Sequence, residues 1–366
     1  TLYTYTIATD TDPSPILYYP RMYILPFLRF IPGIKGFVRF LAVTFDPQKS
    51  HDHLFEKYKP DAVFSTTLHD DPDVAVLKSS VRFKVRRYGM PKSWDNLSKL
   101  LFPVKLHKIL VWGELMKRQA LHFQGYRESE VAVTGVPQFD YYFEPSHRET
   151  REEFLKRHGL DPNKKLILYG SSGADMCDEA LFVDLLKSYM SKRSDVQVLI
   201  RPHIGYEGDA ARFERFRNVQ GFTRDTSEKQ DTTLRDNWDT SVYHQSNLFN
   251  SVLHADVCVN VASTLTLDAI VVGTPVVNLY FDPDPNVDAK RRSVKRLFEA
   301  GYIKSIVDSR ATHVAVDGQD LFKGIDEALE KRELRVPERE RAIRDFAKST
   351  DGKAGERIVG ALVLGQ

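Results

Sequence analysis

The stretch Asp256-Val-Cys-Val-Asn-Val-Ala-Ser-Thr264 joins an apolar run to two hydroxyl residues, and Asp268 follows within a helical pattern. Ser263 and Thr264 stand where the first N–H groups of a helix lack partners and where the helix dipole favours an anion. A diphosphate fits such a place. Asp268, about one turn further on, points back toward the same end, where a carboxylate can accept hydrogen bonds from ribose hydroxyls. Spacing alone leaves an equal alternative, a plain N-cap at Ser263 with Asp268 in water. A second run, Val196-Gln-Val-Leu-Ile-Arg201, ends in Arg201-Pro202-His203. Arginine offers a fixed fork of donors for phosphate, and His203 can exchange a proton near neutral pH; a surface arginine beside a turn histidine reads as well. Gly170-Ser171-Ser172-Gly173 follows a third run and can bring backbone amides to a ligand, although any tight strand-to-helix turn favours the same residues.

The first half of the chain offers different chemistry. Lys92-Ser-Trp-Asp-Asn96 places one ring, Trp94, beside Asp95 and Asn96, a combination suited to a polyhydroxylated ligand. His69, Asp70 and Asp71 follow a short apolar run. Asp95 and His69 are the candidates for a general base acting on an incoming hydroxyl, and each is also an ordinary turn residue. Asp71-Pro-Asp73 and Asp282-Pro-Asp284 have the look of divalent-cation ligands, but Asp-Pro-Asp is at home in turns, so no metal ligand is assigned.

These residues need strand ends to hold them. Apolar runs at 61–66, 108–112, 131–135, 165–170, 196–201, 256–260 and 275–280 alternate with helical patterns at 114–123, 148–158, 178–192, 244–254, 263–272 and 288–299. Residues 204–240 read as a polar loop, and Tyr302–Val307 as a further strand. Buried runs alternating with helices signal parallel sheets. The expected fold class is α/β with two Rossmann-like, doubly wound domains. The expected division is 1–145, 150–340 and a C-terminal helical segment at 341–366. Ligands in such sheets bind beyond the carboxyl ends of the strands.

Composition limits the alternatives. The chain has 366 residues, 52 basic and 50 acidic, and is 42% hydrophobic, which suits two globular domains and gives no global case for nucleic acid. Two cysteines, Cys177 and Cys258, make neither a zinc spacing nor a disulfide framework, so a reducing compartment is expected. The chain opens at Thr1 without Met, as a processed or truncated start would. Between Asp12 and Asp46 there is no acidic residue, while Arg21, Arg29, Lys35 and Arg39 lie among eight aromatics. That segment is too charged to span a bilayer. It reads either as short helices packed on the domain with arginines snorkelling outward, or as a peripheral membrane contact.

Ser93-Trp-Asp-Asn-Leu97, Val111-Trp-Gly-Glu114, Val133-Thr-Gly-Val-Pro-Gln-Phe-Asp140, Ala255-Asp-Val followed by Ala262-Ser-Thr264, and Asp351-Gly-Lys-Ala354 occur in this order. Together, over roughly residues 55–360, they resemble bacterial surface-carbohydrate glycosyltransferases of the GT-B fold. These are relatives of CDP-glycerol glycerophosphotransferases and UDP-N-acetylglucosamine 2-epimerases. The resemblance implies a cleft between two domains, 1–145 on the acceptor side and 150–340 holding the nucleotide donor, with helices at 341–366 packing back across the domains. It also implies Ser263 and Thr264 at the donor phosphates, Asp268 at the acidic position of the next helix, Arg201 and His203 at the basic strand end, and a structural Asp351–Ala354 segment. Two departures count against a polyol-phosphate transferase: Arg-Pro-His replaces a basic residue followed by His-Pro, and Asn-Val-Ala-Ser-Thr replaces Asp-Tyr-Ser-Ser. The family's N-terminal strand and glycine loop are not evident before residue 55. The expected function is a metal-independent transfer of sugar from a nucleotide diphosphate to a surface polysaccharide or lipid-linked acceptor. No cofactor beyond the donor is expected, and the expected place is the cytoplasm, at or near the inner face of the membrane. A nucleotide-sugar epimerase of the same fold or a glycerophosphotransferase-like polyol-phosphate transferase is the alternative, and a non-catalytic carbohydrate-binding subunit held at the membrane by residues 12–46 is another.

Overall fold

The computed structural model describes residues 31–173, 177–203, 208–225, 242–284, 286, 293–299 and 301–363. The chain divides into two compact units. One comprises Thr1–Pro137 and Arg344–Gln366, the other Gln138–Ile343.

The first unit carries a four-stranded parallel sheet in the order β1 (Ala62–Ser65), β2 (Arg86–Gly89), β3 (Lys108–Val111), β4 (Val131–Val133). β2 is absent from the sequence reading because Arg-Arg-Tyr-Gly has no apolar alternation; pairing with β1 and β3 makes it a strand nonetheless. The helix Asp71–Arg82 was likewise unread. Asp70 is its N-cap residue and Pro72 opens its first turn, where a missing N–H costs nothing.

The unit is completed from the far end of the chain. Lys348 Nζ donates to Val133 O at 2.7 Å and Arg357 Nε to Thr134 O at 2.7 Å, while Asp351 makes a two-pronged pair with Arg357. The Thr-Gly-Val-Pro and Asp-Gly-Lys-Ala motifs therefore meet. Gly113 is a second point of closure, because a Cβ there would run into the backbone of Asp345 and Phe346.

The second unit is a six-stranded parallel sheet ordered β10-β9-β8-β5-β6-β7. Its strands are β5 (Lys165–Gly170), β6 (Val196–Arg201), β7 (Phe222–Arg224), β8 (Val257–Asn260), β9 (Val276–Leu279) and β10 (His313–Ala315). Starting from β5, the chain adds strands outward on one side, then returns to add β8, β9 and β10 on the other. This is the Rossmann order, with its switch point between β5 and β8. Leu166, Ile167, Leu168, Val198, Leu199, Val257 and Val259 are buried, as a sheet covered on both faces requires.

Two expectations need correction. Tyr302–Val307 is not a strand but part of the helix Gly301–Ser309. Ile303 and Ile306, three apart, are both buried and Lys304 is exposed, which is helical spacing; the last strand follows at His313–Ala315. The stretch 204–240 also holds structure, a 3-10 turn at Ala210–Phe216 and β7, while 204–207 and 226–240 lie outside the described residues.

Candidate functional site

Strand register assembles the site. Gly170 of β5 lies opposite both Arg201 of β6 and Asn260 of β8, and Asn260 opposite Asn278 of β9. Four strands thus end in one row beside the switch point. Three residues beyond Asn260, Ser263 caps the helix Thr264–Val271.

The approach is held by buried amides. Asn278 Nδ2 donates to Asn260 Oδ1 at 2.8 Å and to Thr266 Oγ1 at 3.0 Å. Asn260 Nδ2 donates to Ser263 Oγ at 3.1 Å. Asn260, Asn278 and Thr266 are fully buried, so this network fixes the strand end to the first helical turn. Gly170 permits the fit, since a Cβ there would collide with the side chain of Leu265. Ser263 is half-buried and Thr264 exposed, so the start of the helix is not covered by the unit's own side chains. The signal for Asn260 and Asn278 was present in the sequence as a polar amide within each of two otherwise apolar runs.

Asp268 is buried, and its Oδ1 accepts from Tyr142 Oη at 2.7 Å. Burial pushes its carboxyl up to about 6, opposed by the Tyr142 hydrogen bond and the Arg201 charge. Tyr142 stacks on Phe249 with ring centroids 4.9 Å apart. Asp268 is therefore not the solvated residue of the alternative reading, and its main fixed partner is protein.

Arg201 departs from its expected role. It is buried, its Nη1 pairs with Asp225, and its Nη2 lies 3.2 Å from His244 Nε2. Asp225 also accepts from Asn247 Nδ2 at 2.7 Å. The guanidinium is engaged by a buried network instead of being presented as a phosphate fork, because Asp225, one residue past β7, captures it.

The Gly170–Gly173 loop departs similarly. Ser172 donates both its backbone N–H and its hydroxyl to Glu179, a buried carboxylate that also accepts from Tyr169 Oη at 2.8 Å. The loop already holds a carboxyl group belonging to the protein. Ser171 Oγ accepts from Gly173 N at 3.1 Å, and Gly173 adopts a left-handed conformation. Glu179, Asp225 and Tyr142 were not singled out in the sequence; only packing brings them together.

His203 is half-buried beyond the end of β6, with its backbone N–H donating to Asp209 Oδ2 at 2.7 Å. Burial holds its pKa below the ordinary histidine value, with Asp209 opposing, so the ring is neutral at pH 7.

In the first unit, Trp94 offers no ring face to a ligand. It is 2% exposed and packs edge-on against Phe346 at 5.5 Å. The C-terminal segment, distant in sequence, covers it. Asn96 Oδ1 accepts from Ser93 N at 2.8 Å, and Asp95 pairs with Lys99; both are nearly buried. His69 is half-buried, with Nε2 3.4 Å from Asp70 Oδ1, and Asp70 lies 3.4 Å from Lys92 Nζ. These three gather beyond the carboxyl ends of β1 and β2. In the Asp-Pro-Asp segments, Asp73 accepts from Ser65 Oγ at 2.8 Å, and Asp282 accepts from Ser293 Oγ and Val294 N at 2.7 Å each. Among the described residues no three His, Cys, Asp or Glu side chains gather as a metal site.

No family model and no curated protein sequence matches this chain. Solved structures do match in fold. UDP-GlcNAc 2-epimerase from Methanocaldococcus jannaschii aligns at 14% identity and TM-score 0.55 over 90% of this chain and 82% of its own. The UDP-GlcNAc-bound 2-epimerase from Neisseria meningitidis aligns at 14% and 0.54, over 87% and 80%. A glycosyltransferase from Rickettsia africae aligns at 12% and 0.50, over 89% and 83%. The chain has the GT-B type of fold, two Rossmann-like α/β units.

Proposed function

We propose that the protein is a glycosyltransferase acting from a nucleotide-diphosphate sugar onto a surface polysaccharide or lipid-linked acceptor. The observation that carries this reading is the helix Thr264–Val271, anchored at the switch point with Ser263 half-buried and Thr264 exposed at its start. Its free amides and dipole favour a diphosphate, and the hydroxyls of Ser263 and Thr264 add donors. As the acceptor hydroxyl attacks the anomeric carbon, the bond to the phosphate oxygen breaks and negative charge grows on the diphosphate. Donors already fixed in place stabilise that charge without reorganising. Asp268 offers its Oδ2 to a ribose hydroxyl while Tyr142 holds Oδ1. Arg201 acts as a positioning residue through Asp225. His203, neutral at pH 7, takes the acceptor proton, and His69, with Asp70 and Lys92, serves the acceptor side. The similarity in fold to enzymes solved with UDP-GlcNAc supports a sugar nucleotide as donor. Cytoplasmic location with peripheral membrane contact belongs to the same reading.

The test is calorimetric titration with UDP, CDP and GDP and their sugars, followed by NMR of the bound donor with and without acceptor glycans. One nucleotide diphosphate should bind, Ser263→Ala/Thr264→Val should weaken it about tenfold, and turnover should require the acceptor. His203→Gln should remove the acidic limb of the kcat/KM profile, which burial of the ring places below the ordinary histidine range. Failure of every nucleotide to bind refutes the reading, and conversion of the sugar nucleotide without acceptor replaces it by an epimerase.

A further inference from the structure

The helix Ile34–Phe45 is built inside out. Its two cations face the protein. Arg39 is buried, with Nε donating to Phe102 O at 3.0 Å and Nη2 to Gln124 Oε1 at 3.2 Å, and its guanidinium lies 6.0 Å from the centre of the Tyr126 ring. Lys35 Nζ donates to His122 O at 2.6 Å. At 100° per residue, Phe37, Phe40, Phe45 and Val38 fall on the side away from Arg39. They are 56%, 61%, 78% and 43% exposed, and Ile31, just before the helix, is 50% exposed. The outward snorkelling expected for the arginines is reversed at Arg39.

Three phenyl rings on one face of a short helix form an apolar patch of the kind that marks an interaction site. Its surroundings in sequence select the partner. From Pro13 to Phe45 there is no acidic residue, and Arg21 and Arg29 are the cations not used by this helix. An apolar face that directly follows, in sequence, a basic and acid-free segment suits an anionic lipid surface. Twelve residues make about 18 Å of helix, too short for a bilayer core of about 30 Å and suited to lying in its interface. No helix among the described residues is long and apolar enough to cross a membrane.

We propose that Phe37, Phe40 and Phe45 are the membrane-docking face of the protein, entering the headgroup–acyl boundary of an anionic bilayer while Lys35 and Arg39 fasten the helix to its own unit. This deepens and rests on the functional reading above, since a lipid-linked acceptor would be met at that surface.

The experiment is co-sedimentation of the full chain with phosphatidylcholine vesicles and with vesicles containing 30% phosphatidylglycerol, alongside Phe37→Ser/Phe40→Ser/Phe45→Ser. The wild type should partition onto the anionic vesicles, and the triple variant should lose at least tenfold in partition while keeping its circular dichroism and nucleotide affinity. Phe40→Trp should show blue-shifted emission quenched by brominated lipid. Three results would overturn the proposal: wild-type protein staying in the supernatant, a triple variant that binds as well, or phenyl-dependent dimerisation in solution without vesicle binding. Nucleotide titration is independent of lipid, so loss of docking and failure of the donor reading are told apart.

Discussion

Asp268→Asn probes the interior of the second unit directly. Burial pushes the wild-type carboxyl up to about 6 in the folded protein, against an ordinary aspartate value of 3.8, so between these limits the folded state binds a proton that the unfolded state does not. Stability therefore rises as pH falls through 6 and levels off near 4. A shift of about two units corresponds to roughly 3 kcal/mol in full, at 1.36 kcal/mol per unit. Between pH 7.5 and pH 4.5 about 2 kcal/mol of that is realised. Asparagine keeps the acceptor for Tyr142 but cannot titrate. Equilibrium urea unfolding of wild type and variant across this range isolates the carboxyl, because all other groups cancel in the difference. The wild type should gain about 2 kcal/mol relative to the variant on acidification, and a ¹³C NMR titration of aspartate carboxyls should show one resonance moving near pH 6. A stability difference constant from pH 4.5 to 7.5 would refute the argument that burial governs this group.

Two further outcomes follow from the packing. Arg201→Met should cost about 3–5 kcal/mol by taking the guanidinium away from the buried Asp225 carboxylate, and Arg201→Met/Asp225→Leu should recover much of it, as read by urea midpoints. Gly113→Ala should destabilise the first unit by about 1–3 kcal/mol because the added methyl meets backbone rather than a mobile side chain. Thermal unfolding would show it, with increased proteolysis near residues 344–350.

The six-stranded sheet was legible because β5, β6, β8 and β9 are near-continuous apolar runs, each ending in or closely followed by a polar residue or glycine. Ser263 at a helix start was legible for the same reason, since capping is local. β2 was not, because Arg86 and Arg87 carry no strand pattern and the neighbouring strands supply the pairing. The burial of Trp94 and the engagement of Arg201 were hidden because the groups responsible, Phe346 and Asp225, are remote in sequence or lie behind an unread strand. Tyr302–Val307 shows the ambiguity of short apolar stretches, where the spacing of Ile303 and Ile306 decides for helix.

Completion of the first unit by residues 344–363 has a consequence for biosynthesis. Its β4 edge receives Lys348 and Arg357 only after the whole of residues 138–343 has left the ribosome. At roughly 5–20 residues per second, that is a delay on the order of tens of seconds. During it the inserted unit can fold alone, while Trp94, Gly113 and the Thr134–Gly135 turn wait without their cover. Nascent chains arrested before residue 344 should therefore hold a protease-resistant second unit beside a first unit that binds chaperones.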